Sequence, residues 1–291
     1  PGVRIVATEI DRSPALTDLL AAHDVIVNAA GNMRGDRLAE YVRANVQVPE
    51  DLVWHQQSLH KPPLFLHLSS VAAIGPTTPE APPTETACCR AISLYGRTKR
   101  AGELSLLAAR RATPNLPLLI LRPPSLFGPG DPCFFDLFVW AVRGVALKLC
   151  TPKKQFNLLY IGDLVNMLEQ LVKHHLQIPS FENPLLHIGF PDQISDDQFS
   201  QALGRVCGRP VRPVFLSSGF CRLLARLDGV RGRLAGQPHL FSRSKVDEMS
   251  CEYWLQNFDR FHSWLPNLVA TPLESALRET YDWYRRQGWL Q

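Results

Sequence analysis

The segment Leu64-Phe-Leu-His-Leu-Ser69 is an apolar run of strand length, and the first half of the chain contains three more: Val3–Thr8, Asp24–Ala29 (DVIVNA) and Leu116–Arg122. Their apolar residues are continuous rather than alternating, which is typical of strands buried on both faces of a parallel sheet. Helix-like stretches separate them: Pro14–Ala22, Leu38–His60 and Leu94–Ala112. The alternation predicts an α/β fold in which helices cover both faces of a doubly wound parallel sheet.

The second half of the chain is less regular. A loop spans Pro123–Pro132, and the apolar stretch Phe134–Leu149 is predicted to be a helix. Further elements are predicted where apolar periodicity returns: strands at Asn157–Ile161 and Leu185–Gly189, helices at Asp163–His174 and from Ser195, and a mainly helical segment at Arg209–Gln291. We expect residues 1–122 and 162–190 to form the nucleotide-binding sheet domain. Residues 123–161 and 191–291 are expected to form a smaller substrate lobe.

Composition excludes several classes of protein. With 291 residues, 45% of them hydrophobic, the chain can bury a large core. A formal net charge of +4 is too small to indicate nucleic-acid binding, and no run approaches the roughly 18 apolar residues of an integral membrane span. Its cysteines form no CxxC pair and its histidines no HExxH pattern, so no metal site is expected. Without a recognisable signal peptide, we expect reduced thiols and a cytoplasmic protein.

The segment Tyr95-Gly-Arg-Thr-Lys99 carries the first indication of chemistry. Residues four apart on a helix share a face, so a phenol and an ammonium group would point into one site. A nearby cation favours the phenolate form of tyrosine, which then exchanges a proton with an alcohol or a ketone. The alternative is that both residues lie on the solvent face of an amphipathic helix.

Neighbouring strands end in residues that suit the same site. The segment Leu66–Ser70 ends in two serines, and the carboxyl ends of strands are where open α/β sheets bind ligands. Either serine could instead cap the turn that follows. Asn28-Ala-Ala-Gly31 ends another strand in small residues, which leaves room for a flat cofactor ring, and Leu121–Gly130 (LRPPSLFGPG) follows a third strand.

Taken together and in this order, these motifs resemble the extended short-chain dehydrogenase/reductase family, also called the NAD-dependent epimerase/dehydratase family. Its members include sugar-nucleotide epimerases, dihydroflavonol reductases and 3β-hydroxysteroid dehydrogenases. The resemblance covers essentially the whole chain and implies a Rossmann-type fold that binds NAD or NADP. It also implies a catalytic set, which is Ser70, Tyr95, Lys99 and Asn45, and a cofactor-binding set, which is Glu9, Ile10, Asn28, Ala29, Ala30, Gly31, Tyr95, Lys99, Pro123 and Ser125.

Each catalytic residue has a role that the resemblance implies. Tyr95 would be the general acid and base, and Lys99 would lower its pKa and hold the nicotinamide ribose. Ser70 would hydrogen-bond the reacting oxygen. It lies five residues before Gly75 and therefore matches the family position better than Ser69 does.

One family motif is absent from the sequence. The glycine-rich turn after the first strand lets the backbone approach the cofactor pyrophosphate, but the only Gly-x-Gly here is Gly128-Pro-Gly130, without a third glycine. The remaining motifs align Val3–Thr8 with the third family strand. We therefore expect two further βα units, about 50–65 residues, to precede Pro1 in a longer reading frame, and the chain as given to bind dinucleotides weakly. The alternative is natural loss of the cofactor loop.

The substrate is expected to be apolar. Lys153–Tyr160 (KKQFNLLY) lacks the arginine with which nucleotide-sugar members of the family bind a diphosphate. Its sequence is closer to that of the hydroxysteroid dehydrogenase and reductase branches. Phe215–Leu240 is predicted to be a basic amphipathic helix that packs on its own domain, covers the substrate or lies on a membrane surface.

The predicted function is NAD(P)-dependent interconversion of a secondary alcohol and a ketone on a small molecule. A nucleotide-sugar epimerase or dehydratase is one alternative, and a non-catalytic, dinucleotide-sensing regulatory protein is another. By analogy with the family, a homodimer through the helices Leu38–His60 and Leu94–Ala112 is possible.

Overall fold

The computed structural model describes residues 3–33, 37–151, 153–175, 182–223 and 243–290. Its strands, in chain order, are β1 Val25–Asn28, β2 Leu64–Leu68, β3 Leu118–Arg122, β4 Ser125–Phe127, β5 Val145–Cys150, β6 Gln155–Phe156, β7 Leu158–Tyr160, β8 Leu185–His187, β9 Ile194–Ser195, β10 Arg212–Ser217 and β11 Tyr253–Trp254. Its helices are α1 Pro14–Ala21, α2 Leu38–Val42, α3 Val48–Ser58, α4 Leu94–Ala112, α5 Pro132–Ala141, α6 Ile161–His175, α7 Asp196–Val206, α8 Arg243–Met249, α9 Asp259–Trp264 and α10 Leu273–Arg286, with a π-helical turn at Arg43–Gln47 and a 3-10 turn at Val71–Ala73.

The main sheet contains four strands in the order β1-β2-β3-β8, and every pair is parallel. Phe65 lies opposite Leu118, and Ile120 lies opposite Leu185. Because parallel strands point the same way, their carboxyl ends meet at one edge of the sheet, and the residues after β1, β2 and β3 come together there. The predicted α/β fold with a parallel, Rossmann-type sheet is confirmed.

Both faces of this sheet are covered, as continuous apolar strands require. One face packs against α6 and the other against α1, α3 and α4. The first core consists of strand residues Leu64, Leu66, Leu119 and Leu121 with helix residues Leu164, Met167 and Leu171. The second consists of strand residues Phe65, Leu118 and Ile120 with helix residues Leu16, Leu52, Val53 and Leu106.

A third, aromatic core lies outside the main sheet. It joins α5, α7 and α10 through Phe138, Phe199, Leu277 and Tyr284. Short sheets surround it: β5 with β10, β4 with β7, and β6 between β9 and β11. These elements fall within the residues expected to form the substrate lobe, whose boundaries remain a prediction.

Two of the predicted helices are found where expected. Helix α4 spans Leu94–Ala112 and begins at Ser93, whose hydroxyl accepts a hydrogen bond from the Gly96 amide at 2.9 Å. Helix α7 begins after Ser195, which forms a capping box with Gln198. The predicted Leu38–His60 helix is interrupted by the π-helical turn, which sequence periodicity did not indicate.

The predicted strand Val3–Thr8 is not formed. This segment makes no strand pairing with the described residues, and Val3 and Ile5 are 95% and 91% exposed. A strand needs a neighbour to pair its backbone groups. No strand in the described part of the chain pairs with this segment, and β1, at the edge of the main sheet, pairs only with β2.

One prediction in the second half is wrong, and another segment contains a strand that was not predicted. The predicted Phe134–Leu149 helix ends at Ala141, and Gly144, with a φ of 76°, turns the chain into β5. Alternate burial along β5 is the pattern of a strand, and β5 pairs in parallel with β10. Arg212–Ser217 is therefore a strand inside the segment predicted to be mainly helical, because pairing over a long sequence distance overrides the local pattern.

Residues 224–240 of the predicted basic helix Phe215–Leu240 lie outside the described residues. Its first residues, Phe215–Ser217, belong to β10, whereas residues 218–223 are helical, as predicted. Among the residues that the structure describes, no helix has both the length and the apolar character that crossing a membrane requires.

Gly102 allows α4 to approach the π-helical turn closely. A methyl group at this position would overlap the carbonyl oxygen of Asn45. Gly102→Ala is therefore expected to lower the free energy of unfolding by about 1–3 kcal/mol through overpacking, measured by urea denaturation. Gly219→Ala, at an exposed helical position with open space around it, is the matched control and should be neutral or slightly stabilising. Equal effects at both sites would contradict the close approach.

Candidate active site

Tyr95 and Lys99 lie one turn apart near the beginning of α4, on the side that faces the carboxyl end of β2. Lys99 is 3% exposed, and its ammonium donates a hydrogen bond to the Leu68 carbonyl at 2.7 Å. Tyr95 is partly buried and lines a cavity. The pair therefore does not lie on a solvent face, which was the alternative interpretation of this motif.

Ser70 follows β2, and its hydroxyl is close enough to the Tyr95 phenol to oppose the rise in the pKa of that phenol. The Ser70 hydroxyl also accepts a hydrogen bond from the Ala72 amide at 3.1 Å and so caps the 3-10 turn. The two interpretations of this serine, turn cap and partner of the phenol, are therefore compatible. The Ser69 hydroxyl instead donates to Glu103 at 2.6 Å, which leaves Ser70 as the serine that accompanies Tyr95.

Asn45 occupies the π-helical turn with no exposed surface. Its side-chain amide donates to the Thr98 hydroxyl at 3.0 Å and the Asn32 carbonyl at 3.1 Å, and its side-chain carbonyl accepts from the Asn32 amide at 2.9 Å. These bonds join the loop after β1 to α4. Asn45 thus holds in place the elements that carry Lys99 and Gly31.

The segment Asn28–Gly31 turns at the carboxyl end of β1. The Asn28 side-chain oxygen accepts from the Ala30 amide at 3.0 Å, and its nitrogen hydrogen-bonds His67 Nδ1 at 3.0 Å. A methyl group at Gly31 would lie 3.2 Å from Lys99 Nζ. The structure therefore places this turn directly beside the lysine.

The other residues predicted to bind the cofactor fall into two groups. Pro123 and Ser125, after β3, line the same cavity as Ser70 and Tyr95. Glu9 is exposed, and Ile10 is held through its carbonyl oxygen by the Arg43 side chain at the π-helical turn. Glu9 and Ile10 therefore do not line the cavity.

The cavity has a volume of about 590 Å³ and separates the catalytic candidates from the third core. Most of its far wall is apolar and comes from Phe134, Leu137, Leu147, Leu149, Phe156, Phe199, Met249 and Trp254. Charged side chains contribute a smaller part: Asp131, Lys154, Asp196, Lys245 and Glu248. Within the described ranges, no cluster of three or more histidine, cysteine or acidic side chains could hold a metal ion.

Burial sets the protonation states at this site. It raises the pKa of Tyr95 to about 12, although the hydrogen bond from Ser70 opposes the rise. It lowers the pKa of Lys99 to about 8, against the attraction of Glu103. At neutral pH Tyr95 therefore carries its proton and Lys99 is mostly charged, so the pair is in its proton-donating form.

Sequence reasoning missed the buried ion pair beneath this site. Glu103, with no exposed surface, accepts hydrogen bonds from Arg122 Nε at 2.7 Å and from a terminal nitrogen of Arg122 at 2.6 Å. Arg100 adds a third contact at 2.8 Å. Burial alone would raise the pKa of Glu103, but the hydrogen bonds and charge of Arg122 lower it below its usual value. Two features of the sequence could have indicated this ion pair. Glu103 follows Tyr95 and Lys99 at the same four-residue spacing, and Arg122 is a charged residue at the end of an apolar strand.

Removal of one member of this pair should be strongly destabilising. Glu103→Ala leaves Arg122 charged, buried and unpaired, so we expect the free energy of unfolding to fall by about 3–5 kcal/mol in urea denaturation. Glu169→Ala is the control, because it removes an exposed ion pair with Lys173 and should change stability by less than about 0.5 kcal/mol. A similar small effect at Glu103 would contradict the structural role of the pair.

The lowered pKa of Lys99 predicts a stability that depends on pH. Between pH 8 and the ordinary lysine value of 10.5, the unfolded chain binds more protons than the folded chain, so stability rises with pH. Relative to Lys99→Met, cofactor-free wild type should therefore gain roughly 2 kcal/mol between pH 8 and pH 10. Tyr95→Phe retains the lysine and should retain this gain in the same denaturation series. Parallel curves for wild type and Lys99→Met would show that the lysine does not titrate in this window.

Comparison with known proteins places this geometry in a family. The sequence pattern of the NAD dependent epimerase/dehydratase family matches residues 2–183. A protein named ceramide reductase from Caulobacter vibrioides is 23% identical over 293 residues, which cover 99% of this chain and 82% of that protein.

Solved structures share the fold at low sequence identity. A variant of UDP-glucuronic acid 4-epimerase from Bacillus cereus, in complex with a fluorinated substrate analogue and NAD, aligns with a TM-score of 0.74 at 18% identity and covers 97% of this chain and 81% of its own. UDP-glucose 4-epimerase from Thermotoga maritima, in complex with UDP-glucose, aligns with a TM-score of 0.70 at 16% identity and covers 96% and 82%. The match to the family pattern over most of the chain, together with this shared fold, shows that the chain belongs to the NAD-dependent epimerase/dehydratase family.

Proposed function

We propose that the protein is an NAD(P)-dependent oxidoreductase that interconverts a secondary alcohol and a ketone on a largely apolar small molecule. The observation that carries this proposal is the position of Tyr95 and Ser70 at one wall of a cavity whose opposite wall is mostly apolar, with the buried Lys99 one helical turn from Tyr95. A substrate of mainly hydrocarbon character fits such a wall because its apolar surface leaves water.

The chain's own residues supply the proton chemistry. In the direction of reduction, Tyr95 donates its proton to the ketone oxygen as that oxygen gains electron density, and Ser70 hydrogen-bonds the same oxygen. In the direction of oxidation, Tyr95 takes the proton from the alcohol. Burial keeps the phenol protonated in this structure, and Lys99, one helical turn away, is the cation proposed to favour the phenolate in the direction of oxidation. The nicotinamide ring, when bound, supplies or accepts the hydride.

The residues at the sheet edge fit the nicotinamide end of the cofactor. Gly31 leaves space beside the Lys99 ammonium that a side chain would fill. Pro123 and Ser125 close the opposite side at the carboxyl end of β3. These residues, with the Asn28–Gly31 turn, would hold the nicotinamide ribose and ring. Glu9 and Ile10 remain proposals for the adenine end.

Two observations bear on the substrate. The Caulobacter relative named ceramide reductase, though only 23% identical, supports reduction of an apolar molecule, in agreement with the apolar wall. The epimerases that share the fold support a nucleotide-sugar substrate, and Lys154 and Lys245 in the cavity wall are the residues that would then meet a diphosphate. We favour the apolar substrate because apolar side chains form most of the far wall.

A purely regulatory role fits less well. A dinucleotide sensor has no need for a tyrosine and a serine that line the same cavity, one helical turn from a buried lysine. The presence of all three in one place supports catalysis.

Replacement of Tyr95 tests the proposed reaction. Tyr95→Phe is expected to lower kcat/KM for ketone reduction by about 10²–10⁴-fold, since it removes the proton donor, and to leave cofactor binding within about twofold by calorimetry. Tyr281→Phe removes a hydroxyl on a side chain that packs against Phe138 in the third core and is the matched control.

The assay is run with NADH and NADPH on this chain and, where the reading frame continues upstream of Pro1, on the longer chain. Turnover that survives Tyr95→Phe would rule out its acid/base role. Cofactor binding without any turnover of alcohols or ketones would favour the regulatory alternative.

A further inference from the structure

We propose that His67 is a positioning residue for the cofactor: its imidazole holds the side chain of Asn28 and, through it, the Asn28–Gly31 turn that would lie against the nicotinamide ribose. The inference rests on the proposed function, since it takes this turn to be part of the cofactor site. It assigns a role to a buried histidine that takes no part in the proton chemistry of Tyr95 and Ser70.

His67 and Asn28 face each other across the two strands that end at the site. They are register partners on β2 and β1, and they are 0% and 3% exposed. His67 Nδ1 lies 3.0 Å from the side-chain nitrogen of Asn28. The other end of the Asn28 side chain accepts the Ala30 amide at 3.0 Å. Because only the oxygen of an asparagine side chain can accept, the orientation of the Asn28 amide is fixed.

This orientation determines the state of the imidazole. The Asn28 nitrogen can only donate, so His67 Nδ1 must accept, and the ring proton is on Nε2. Burial lowers the pKa of His67 well below its ordinary range, and the charge of Lys99 lowers it further. His67 is therefore neutral near pH 7, and a neutral ring is required for an acceptor at Nδ1.

The packing of β2 gains little from a histidine at this position. Nε2 is buried and has no hydrogen-bond partner among the residues that the structure describes, which is unfavourable for a donor removed from water. Phe65, two residues earlier on the same strand, is apolar and packs into the second core, and an apolar side chain at position 67 would avoid the unmet donor. The hydrogen bond to Asn28 is what the imidazole provides and an apolar side chain would not.

The turn that Asn28 holds lies beside the Lys99 ammonium. A methyl group at Gly31 would lie 3.2 Å from Lys99 Nζ. Lys99 Nζ in turn donates at 2.7 Å to the carbonyl of Leu68, the residue after His67. Two consecutive residues of β2 therefore fix the two sides of the proposed ribose position: His67 holds the turn through Asn28, and Leu68 holds the ammonium.

The far end of the turn is held independently of His67. Asn45 bonds the amide of Asn32 at 2.9 Å and its carbonyl at 3.1 Å. Loss of the contact between His67 and Asn28 should therefore loosen the turn without releasing it. Since Tyr95 still supplies the proton, the effect is expected in KM for NADH and not in kcat. A fall in kcat with KM unchanged would contradict the positioning role.

Two variants of similar shape separate positioning from packing. In His67→Asn the side-chain oxygen replaces Nδ1 as the acceptor, whereas His67→Leu has a similar branched shape without an acceptor. Packing favours His67→Leu, which should be the more stable of the two in urea denaturation. Positioning favours His67→Asn. By calorimetry it should bind NADH, and reduced nicotinamide mononucleotide as the probe of the nicotinamide end, about tenfold more tightly than His67→Leu, which corresponds to one hydrogen bond.

Hydrogen exchange of the Ala30 amide, followed by NMR without cofactor, gives a second readout. This amide should exchange about tenfold faster in His67→Leu than in wild type or His67→Asn, because its acceptor on Asn28 is no longer held. In an Asn28→Ala background the two His67 variants should bind the mononucleotide equally, since the contact that distinguishes them is gone.

The inference is overturned if His67→Leu and His67→Asn bind the mononucleotide equally in the presence of Asn28, or if Ala30 exchanges equally in both. Wild type that binds neither nucleotide would contradict the proposed function, whereas the exchange of Ala30 would still decide whether His67 holds the turn.

Discussion

The buried pair of Glu103 and Arg122 is the interaction on which the rest of the site depends. It ties α4 to the carboxyl end of β3, and the Ser69 hydroxyl connects the same carboxylate to the end of β2. Removing two charges from water is unfavourable unless their hydrogen bonds are nearly complete, and here four donors surround one carboxylate. The helix that carries Tyr95 therefore has one position relative to the strands.

The protonation states of the catalytic candidates follow from this rigid placement. With α4 held against the sheet, Lys99 and Tyr95 are both removed from water, and burial favours the neutral form of each. Glu103, one turn further along α4, limits the fall in the pKa of Lys99. A glycine on the opposing loop and another on α4 permit this closeness, because side chains there would collide with Lys99 or with the Asn45 backbone.

The cavity combines an apolar wall with a small number of charged side chains. In a stable core isolated charges lower stability. Here Glu248 and Lys154 line the same cavity as Tyr95. Sites that bind ligands commonly keep a few polar groups in an apolar setting, because those groups set the orientation of what binds.

The sequence by itself determined the parallel sheet and the bounds of α4 and predicted that Tyr95 and Lys99 share a helix face, because continuous apolar strands and four-residue spacing are local patterns; the choice of Ser70 came from the family resemblance. Only the tertiary structure decided that Val3–Thr8 stays unpaired and that Val145–Cys150 is a strand, since pairing depends on a distant partner. The Glu103–Arg122 pair likewise joins residues of two different elements, α4 and β3. Such contacts leave no periodic signal, because their spacing is set by how the chain folds back on itself.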